Sequence, residues 1–104
     1  MNKETKIYVF DIDGTICNNT FGAYEIAVPY RDMVEKINKL YGAGNTIKMM
    51  TARGTQTKID WTELTTKQLD EWGVKYHELI MNQKPHADIF VDDKAINAAA
   101  FRLL

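Results

Sequence analysis

The sequence predicts an α/β fold: a three-layer, Rossmann-like sandwich around a mainly parallel sheet of about four strands. Three observations carry that expectation. Short apolar runs alternate with stretches of helical period. The runs are rich in aromatic and β-branched residues, as buried strands of parallel sheets are. Each run then ends in a cluster of polar residues, and the carboxyl ends of such strands are where open α/β sheets bind ligands. With 104 residues the chain is expected to form one domain, 1–104, with no separate cap domain.

Taken in order, Ile7-Tyr8-Val9-Phe10 is an uninterrupted apolar run, expected to be a strand covered on both faces. Pro29 then suits the first turn of a helix, Met33, Ile37 and Leu40 share one of its faces, and Gly42 suits its C-terminal cap. Ile47 to Met50 is a second strand. Asp60 and Glu63 resemble a capping box ahead of a helix in which Trp61, Leu64, Leu69 and Trp72 share one face and which Gly73 closes. Tyr76 to Met81 is a weaker third strand, and Ile89-Phe90-Val91 a fourth. Lys94 to Leu104 is expected to be a terminal helix with Ile96, Ala100 and Leu103 facing inward. Two connections are long, Gly14 to Val28 and Ala52 to Ile59, and both leave carboxyl ends of strands.

Bulk properties exclude several classes. The formal net charge of −1, with no basic tract, lacks the electrostatic footprint of a nucleic-acid binder. Cys17 stands alone, so no intrachain disulfide forms, and with only His77 and His86 beside it an all-Cys/His zinc site is excluded. The segment from Met1 to Lys6 leads into only four apolar residues, too few for a signal-peptide core or a membrane span. A cytoplasmic protein is the expectation.

The strand ends carry the chemistry. The first ends in Asp11-Ile12-Asp13-Gly14-Thr15, the second in Thr51-Ala52-Arg53-Gly54, the third leads to Asn82-Gln83-Lys84-Pro85, and the fourth ends in Asp92-Asp93-Lys94. In a parallel sheet these groups converge on one edge. Packed carboxylates repel, and a hard divalent cation relieves the repulsion; oxygen-only ligands favour magnesium over zinc. The Thr51 hydroxyl, backbone N–H groups near a helix start and the Lys84 ammonium suit a phosphoryl group.

Asp11-Ile12-Asp13-Gly14-Thr15 after an apolar strand resembles the first motif of the haloacid dehalogenase superfamily. Thr51, Lys84 and Asp92-Asp93 resemble its second, third and fourth motifs, in order, over roughly residues 6 to 94. The resemblance implies a Mg2+-dependent phosphomonoester hydrolase. Asp11 would attack phosphorus to form an aspartyl-phosphate; Asp13 would protonate the leaving oxygen and then deprotonate the hydrolytic water. Magnesium would be held by the Asp11 carboxylate, the Asp13 carbonyl and Asp93, with Asp92 supporting the site from behind. Lys84 would balance charge, and Thr51, Ala52 and Arg53 would line the phosphoryl group; Arg53 could equally pair with a surface acid. The dehalogenase branch lacks an aspartate at position 13, so the resemblance points to phosphoryl transfer.

Capless members of the superfamily resemble either oligomers whose neighbours close the site or enzymes of large substrates, so the partners implied are a small phosphorylated substrate and a second copy of the chain. A looser similarity to small members encoded with bacterial capsule or surface-polysaccharide enzymes implies a sugar phosphate. A nucleotide or polynucleotide phosphatase is the competing enzyme reading, and a silent or receiver-like phosphate-binding module the competing non-enzyme one. Asn18, Thr20, Phe21 and Tyr24 are candidates for a flap over the leaving group, Phe21 and Tyr24 with packing as the alternative, whereas Cys17 is expected to be a small buried filler.

Overall fold

The structure, a computed structural model, describes residues 4–104. Three strands form one parallel sheet among the described residues: β1 (Ile7–Phe10), β2 (Thr46–Met50) and β3 (Glu78–Ile80), in the spatial order β1-β2-β3. Helix α1 (Arg31–Gly42) links β1 to β2, α2 (Thr62–Glu71) links β2 to β3, and a short α3 (Ala98–Arg102) ends the chain. This is a small α/β fold of successive β-α-β units, the form that apolar runs alternating with helical period produce.

Register decides which side chains meet the helices. Tyr8 pairs with Ile47, Phe10 with Met49, and Met49 with Leu79, so these side chains share one face of the sheet. On that face Ile47 and Met49 are fully buried together with Met33, Val34 and Ile37 of α1 and Leu69 of α2. The other face carries Ile7 and Val9, which are 67% and 56% exposed, and an ion pair between Lys48 and Glu78. The described residues therefore make two layers, and β1 alternates in burial where a strand covered on both faces was expected. The reason is geometric: with strands added sequentially and each crossover of the same hand, both crossover helices fall on one side of the sheet.

The predicted helices form with small shifts. Helix α1 buries Met33, Val34 and Ile37, one face of its period. Helix α2 begins at Thr62; Asp60 accepts the Thr62 N–H at 2.9 Å in a turn ahead of it, and the N-cap position is held by Trp61, so Asp60 and Glu63 do not close a capping box.

The C-terminal expectations fail more widely. Ile89-Phe90-Val91 forms no strand and its side chains are exposed. Its apolar run is short, Pro85 lies upstream, and the Asp92 side chain draws the following Lys94 N–H into a local turn. The terminal helix is confined to Ala98–Arg102, capped by Asn97, whose side chain accepts the Ala99 N–H. Ile96 and Leu103 are exposed, and Phe101 packs inward instead, against Tyr8 at 6.4 Å and Phe10 at 5.5 Å between ring centres. A bidentate Arg102–Asp32 pair and a Lys36 bond to the Phe101 carbonyl at 2.8 Å hold this helix on α1. No helix of the described residues is long and apolar enough to cross a membrane.

Candidate active site

Backbone geometry at the end of β1 builds the centre. The Ile12 carbonyl accepts N–H bonds from Thr15, Ile16 and Cys17, and the Gly14 N–H returns to the Cys17 carbonyl at 2.8 Å. This tight turn needs Gly14 at φ +83°, a left-handed conformation that a Cβ disfavours. Ile12, Ile16 and Cys17 are fully buried and anchor the turn. Asp11 and Asp13, on either side of Ile12, remain partly open.

Two ion pairs organise the carboxylates. Lys84 Nζ lies 3.0 Å from Asp11 Oδ1, both side chains about a quarter to a third exposed (21% and 35%). The Lys84 ammonium also sits over the Phe90 ring at 5.0 Å. Its loop is tied to the loop after β2 by the Thr55 hydroxyl, which donates to the Lys84 carbonyl at 3.1 Å. Asp13 is held by a fork: Arg53 Nε donates to Oδ2 and its NH2 group to Oδ1, each at 2.9 Å. This geometry is the strong, oriented form of a carboxylate contact.

Arg53 is the departure from the sequence reading as a residue lining the phosphoryl group. It is only 1% exposed and turned inward, where its remaining terminal nitrogen donates to Thr65 Oγ1 at 3.1 Å and Gln68 Oε1 at 2.6 Å. A buried guanidinium is costly unless its donors are met, so its contacts fix it against α2 rather than toward solvent. The sequence left Arg53 even between a substrate group and a surface acid; the geometry pairs it instead with the largely buried Asp13 of the site itself.

Thr51 closes β2, its N–H bonded to the Ile80 carbonyl at 3.2 Å, and its hydroxyl oxygen accepts the Arg53 N–H at 3.1 Å. The hydroxyl proton remains available to an anion, although the residue is 1% exposed beneath the loop. Ala52 is half-buried and its carbonyl accepts the Thr55 N–H. Gly54, at φ +85°, lets the loop fold onto the Ile59 carbonyl.

Cys17 is a thiol by environment. Burial, reinforced by the Asp13 charge, pushes it up to about 12, and its sulfur lies 3.6 Å from both Asp13 Oδ1 and the Ile12 carbonyl, which share its one proton. Burial likewise raises the Tyr24 hydroxyl above its ordinary value, with the Asp13 charge adding to it and Arg53 opposing.

The structure brings together Asp11, Asp13, Thr51, Arg53 and Lys84. No group of three or more His, Cys, Asp or Glu side chains able to hold a metal ion forms among the described residues. Asp92 is exposed, and its carboxylate is held below the usual range mainly by the Lys94 N–H. The two central carboxylates are each matched by a cationic side chain, Lys84 for Asp11 and Arg53 for Asp13, which leaves the Asp13 backbone carbonyl and one side of the Asp11 carboxylate as the oxygens a magnesium ion would use there. Ile89 to Asp93 does not join the sheet, yet Phe90, Lys94 and Ala95 line one cavity with Asp11, Thr15 and Lys84.

Comparison with known proteins adds a fold. No family model matches the chain, and no curated protein matches it. A crystal structure of a structural-genomics target from Vibrio cholerae superposes with a TM-score of 0.86, covering 96% of this chain and 89% of that one at 24% identity. At that identity the likeness concerns the fold alone.

Thr65 and Gln68 were not legible as site residues. The pattern of α2 was read from Trp61, Leu64, Leu69 and Trp72, and polar residues between apolar ones pass for a solvated flank. Their signal was adjacency to the inward position Leu69, since Thr65 and Gln68 lie three apart and share a face.

Proposed function

We propose that the protein is a phosphomonoester hydrolase acting through an aspartyl-phosphate on Asp11, a small capless member of the haloacid dehalogenase superfamily. The supporting observation is the pair Asp11–Lys84 at 3.0 Å, brought from the ends of β1 and the loop after β3, beside an Asp13 whose orientation is fixed. The sequential parallel order β1-β2-β3 supports a Rossmann-like arrangement, and a small sugar phosphate in the cytoplasm is the substrate proposed.

In the first step an Asp11 oxygen attacks phosphorus, the bond from phosphorus to the leaving oxygen breaks, and that oxygen takes a proton from Asp13. In the second, water loses a proton to Asp13 and attacks phosphorus; the Asp11–phosphorus bond breaks and inorganic phosphate leaves. Lys84 neutralises charge on Asp11 and the phosphoryl oxygens throughout, and the Thr51 hydroxyl donates to one of them. Preset charges of this kind are worth most in a loose phosphoryl transition state. Magnesium remains part of the proposal through the sequence resemblance alone, and no step above is routed through it.

The test is turnover of para-nitrophenyl phosphate and a sugar-phosphate panel with Mg2+ or EDTA. Asp11→Asn is expected to reduce kcat by at least about 1,000-fold, the scale seen when a nucleophile is removed. Full activity in Asp11→Asn sinks the assignment; stoichiometric phosphate retention without turnover points to a receiver-like module.

A further inference from the structure

The Arg53 fork does more than satisfy a buried charge. An ionised carboxylate offers about four lone-pair sites, two on each oxygen. On Asp13, Oδ1 accepts the Arg53 NH2 group at 2.9 Å and faces the Cys17 sulfur at 3.6 Å, whose one proton it shares with the Ile12 carbonyl, whereas Oδ2 accepts only Arg53 Nε. Behind the fork, Thr65 and Gln68 hold the guanidinium from α2. Above it lies the Gly14–Val28 loop: the Tyr24 ring covers the guanidinium carbon at 4.6 Å, its edge meets Trp61 at 5.0 Å, and the Gln68 amide donates to the Tyr24 carbonyl at 2.6 Å.

We propose that Arg53 is a positioning residue for proton transfer: it clamps Asp13 so that Oδ2 is the oxygen that carries the proton, and Tyr24 ties this clamp to the Gly14–Val28 loop. The inference rests on the proposed phosphatase reading and deepens it. The proton taken by the leaving oxygen departs from Oδ2, and the proton of the hydrolytic water returns there. The loop reports to the clamp through Gln68, which touches both the guanidinium and the Tyr24 backbone.

A selective defect is the signature. Para-nitrophenolate leaves without needing a proton, whereas an alkyl alkoxide does not. Arg53→Lys keeps the charge but loses the planar fork. It is expected to slow the first step, phosphorylation of Asp11 read in a single turnover, by about 10- to 100-fold with an alkyl phosphate, within the range proton transfer contributes, and by less than about threefold with para-nitrophenyl phosphate, while the shared hydrolysis of the aspartyl-phosphate slows alike for both. The pH–rate profile on the alkyl substrate shifts in parallel. Tyr24→Leu and Gln68→Leu, which leave Arg53 and Asp13 in place and serve if Arg53→Lys folds poorly, show the same selectivity at about 3- to 10-fold. Equal losses in the first step on both substrates, or none, overturn the proposal. A crystal structure of Arg53→Lys separates the clamp from the phosphatase reading. An Asp13 carboxylate turned from its wild-type orientation supports the clamp even in a protein that turns over no phosphoester, and an unmoved carboxylate overturns it in an active one.

Discussion

Replacing Gly54 by alanine tests whether the loop after β2 is the scaffold of the site. Gly54 has φ +85°, and a Cβ built there would lie 2.3 Å from the Ile59 carbonyl oxygen, 3.4 Å from the Trp61 ring and 3.5 Å from Asn82 Oδ1. The backbone conformation alone costs an alanine about 1–2 kcal/mol. The carbonyl is main chain and cannot rotate away as a side chain would, so the Gly54–Lys58 turn, closed by a bond at 2.9 Å, has to open. A lost hydrogen bond of that kind adds about 1 kcal/mol, for a total of about 2–3 kcal/mol. In a domain of this size each kcal/mol moves Tm by about 4–8 °C, so the melting temperature should fall by roughly 8–24 °C. Because Thr51 and Arg53 immediately precede this turn, phosphatase activity at a temperature where the variant is folded should fall as well. Calorimetry and para-nitrophenyl phosphate turnover measure both. A Gly54→Ala protein melting within about 2 °C of wild type with full activity refutes the argument that this loop is held by a conformation only glycine adopts cheaply.

Lys84→Met removes the cation 3.0 Å from Asp11 and is expected to lower kcat by about 100- to 1,000-fold with little change in Tm; steady-state kinetics and a thermal melt read both. Cys17 should resist thiol reagents at pH 8 in the folded protein and react on unfolding, because burial pushes the thiol up to about 12; rapid labelling of the native state contradicts its place in the turn. Ile37→Ala, at a fully buried position, should cost about 2–5 kcal/mol in a urea titration. Asp32 is drawn below its ordinary value mainly by the Arg102 side chain, so its stabilising pairing is complete above the unfolded carboxylate value near pH 4 and is lost as pH falls through the lower folded value. Wild type should therefore melt above Asp32→Asn at pH 7, and the difference should shrink in acid; an unchanged gap in strong acid denies the pair a role in docking α3.

The sequence by itself determined the first half of the fold. Ile7 to Phe10, Met33 to Ile37 and Ile47 to Met49 became strand, helix and strand because their periodicity is local and buries one continuous cluster. The placement of Asp11, Asp13, Thr51 and Lys84 at one end of the sheet also followed, since it requires only strand order and direction. Tertiary structure decided what pattern cannot encode. The single-sided placement of the helices came from sequential strand addition, and it left Ile7 and Val9 exposed. Phe101, and not Ile96 or Leu103, became the anchor of the last helix, because Tyr8 and Phe10 offer a ring surface and Asp32 an ion-pair partner far away in the chain. Ile89 to Val91 had the composition of a strand without forming its pairing, and pairing is a property of the neighbour. Arg53 shows the same division most sharply. Its position after Thr51 marked it as polar chemistry at a strand end, but only the packing of Thr65, Gln68 and Tyr24 around it turned the guanidinium away from solvent and onto Asp13, because a buried cation goes where its donors find acceptors.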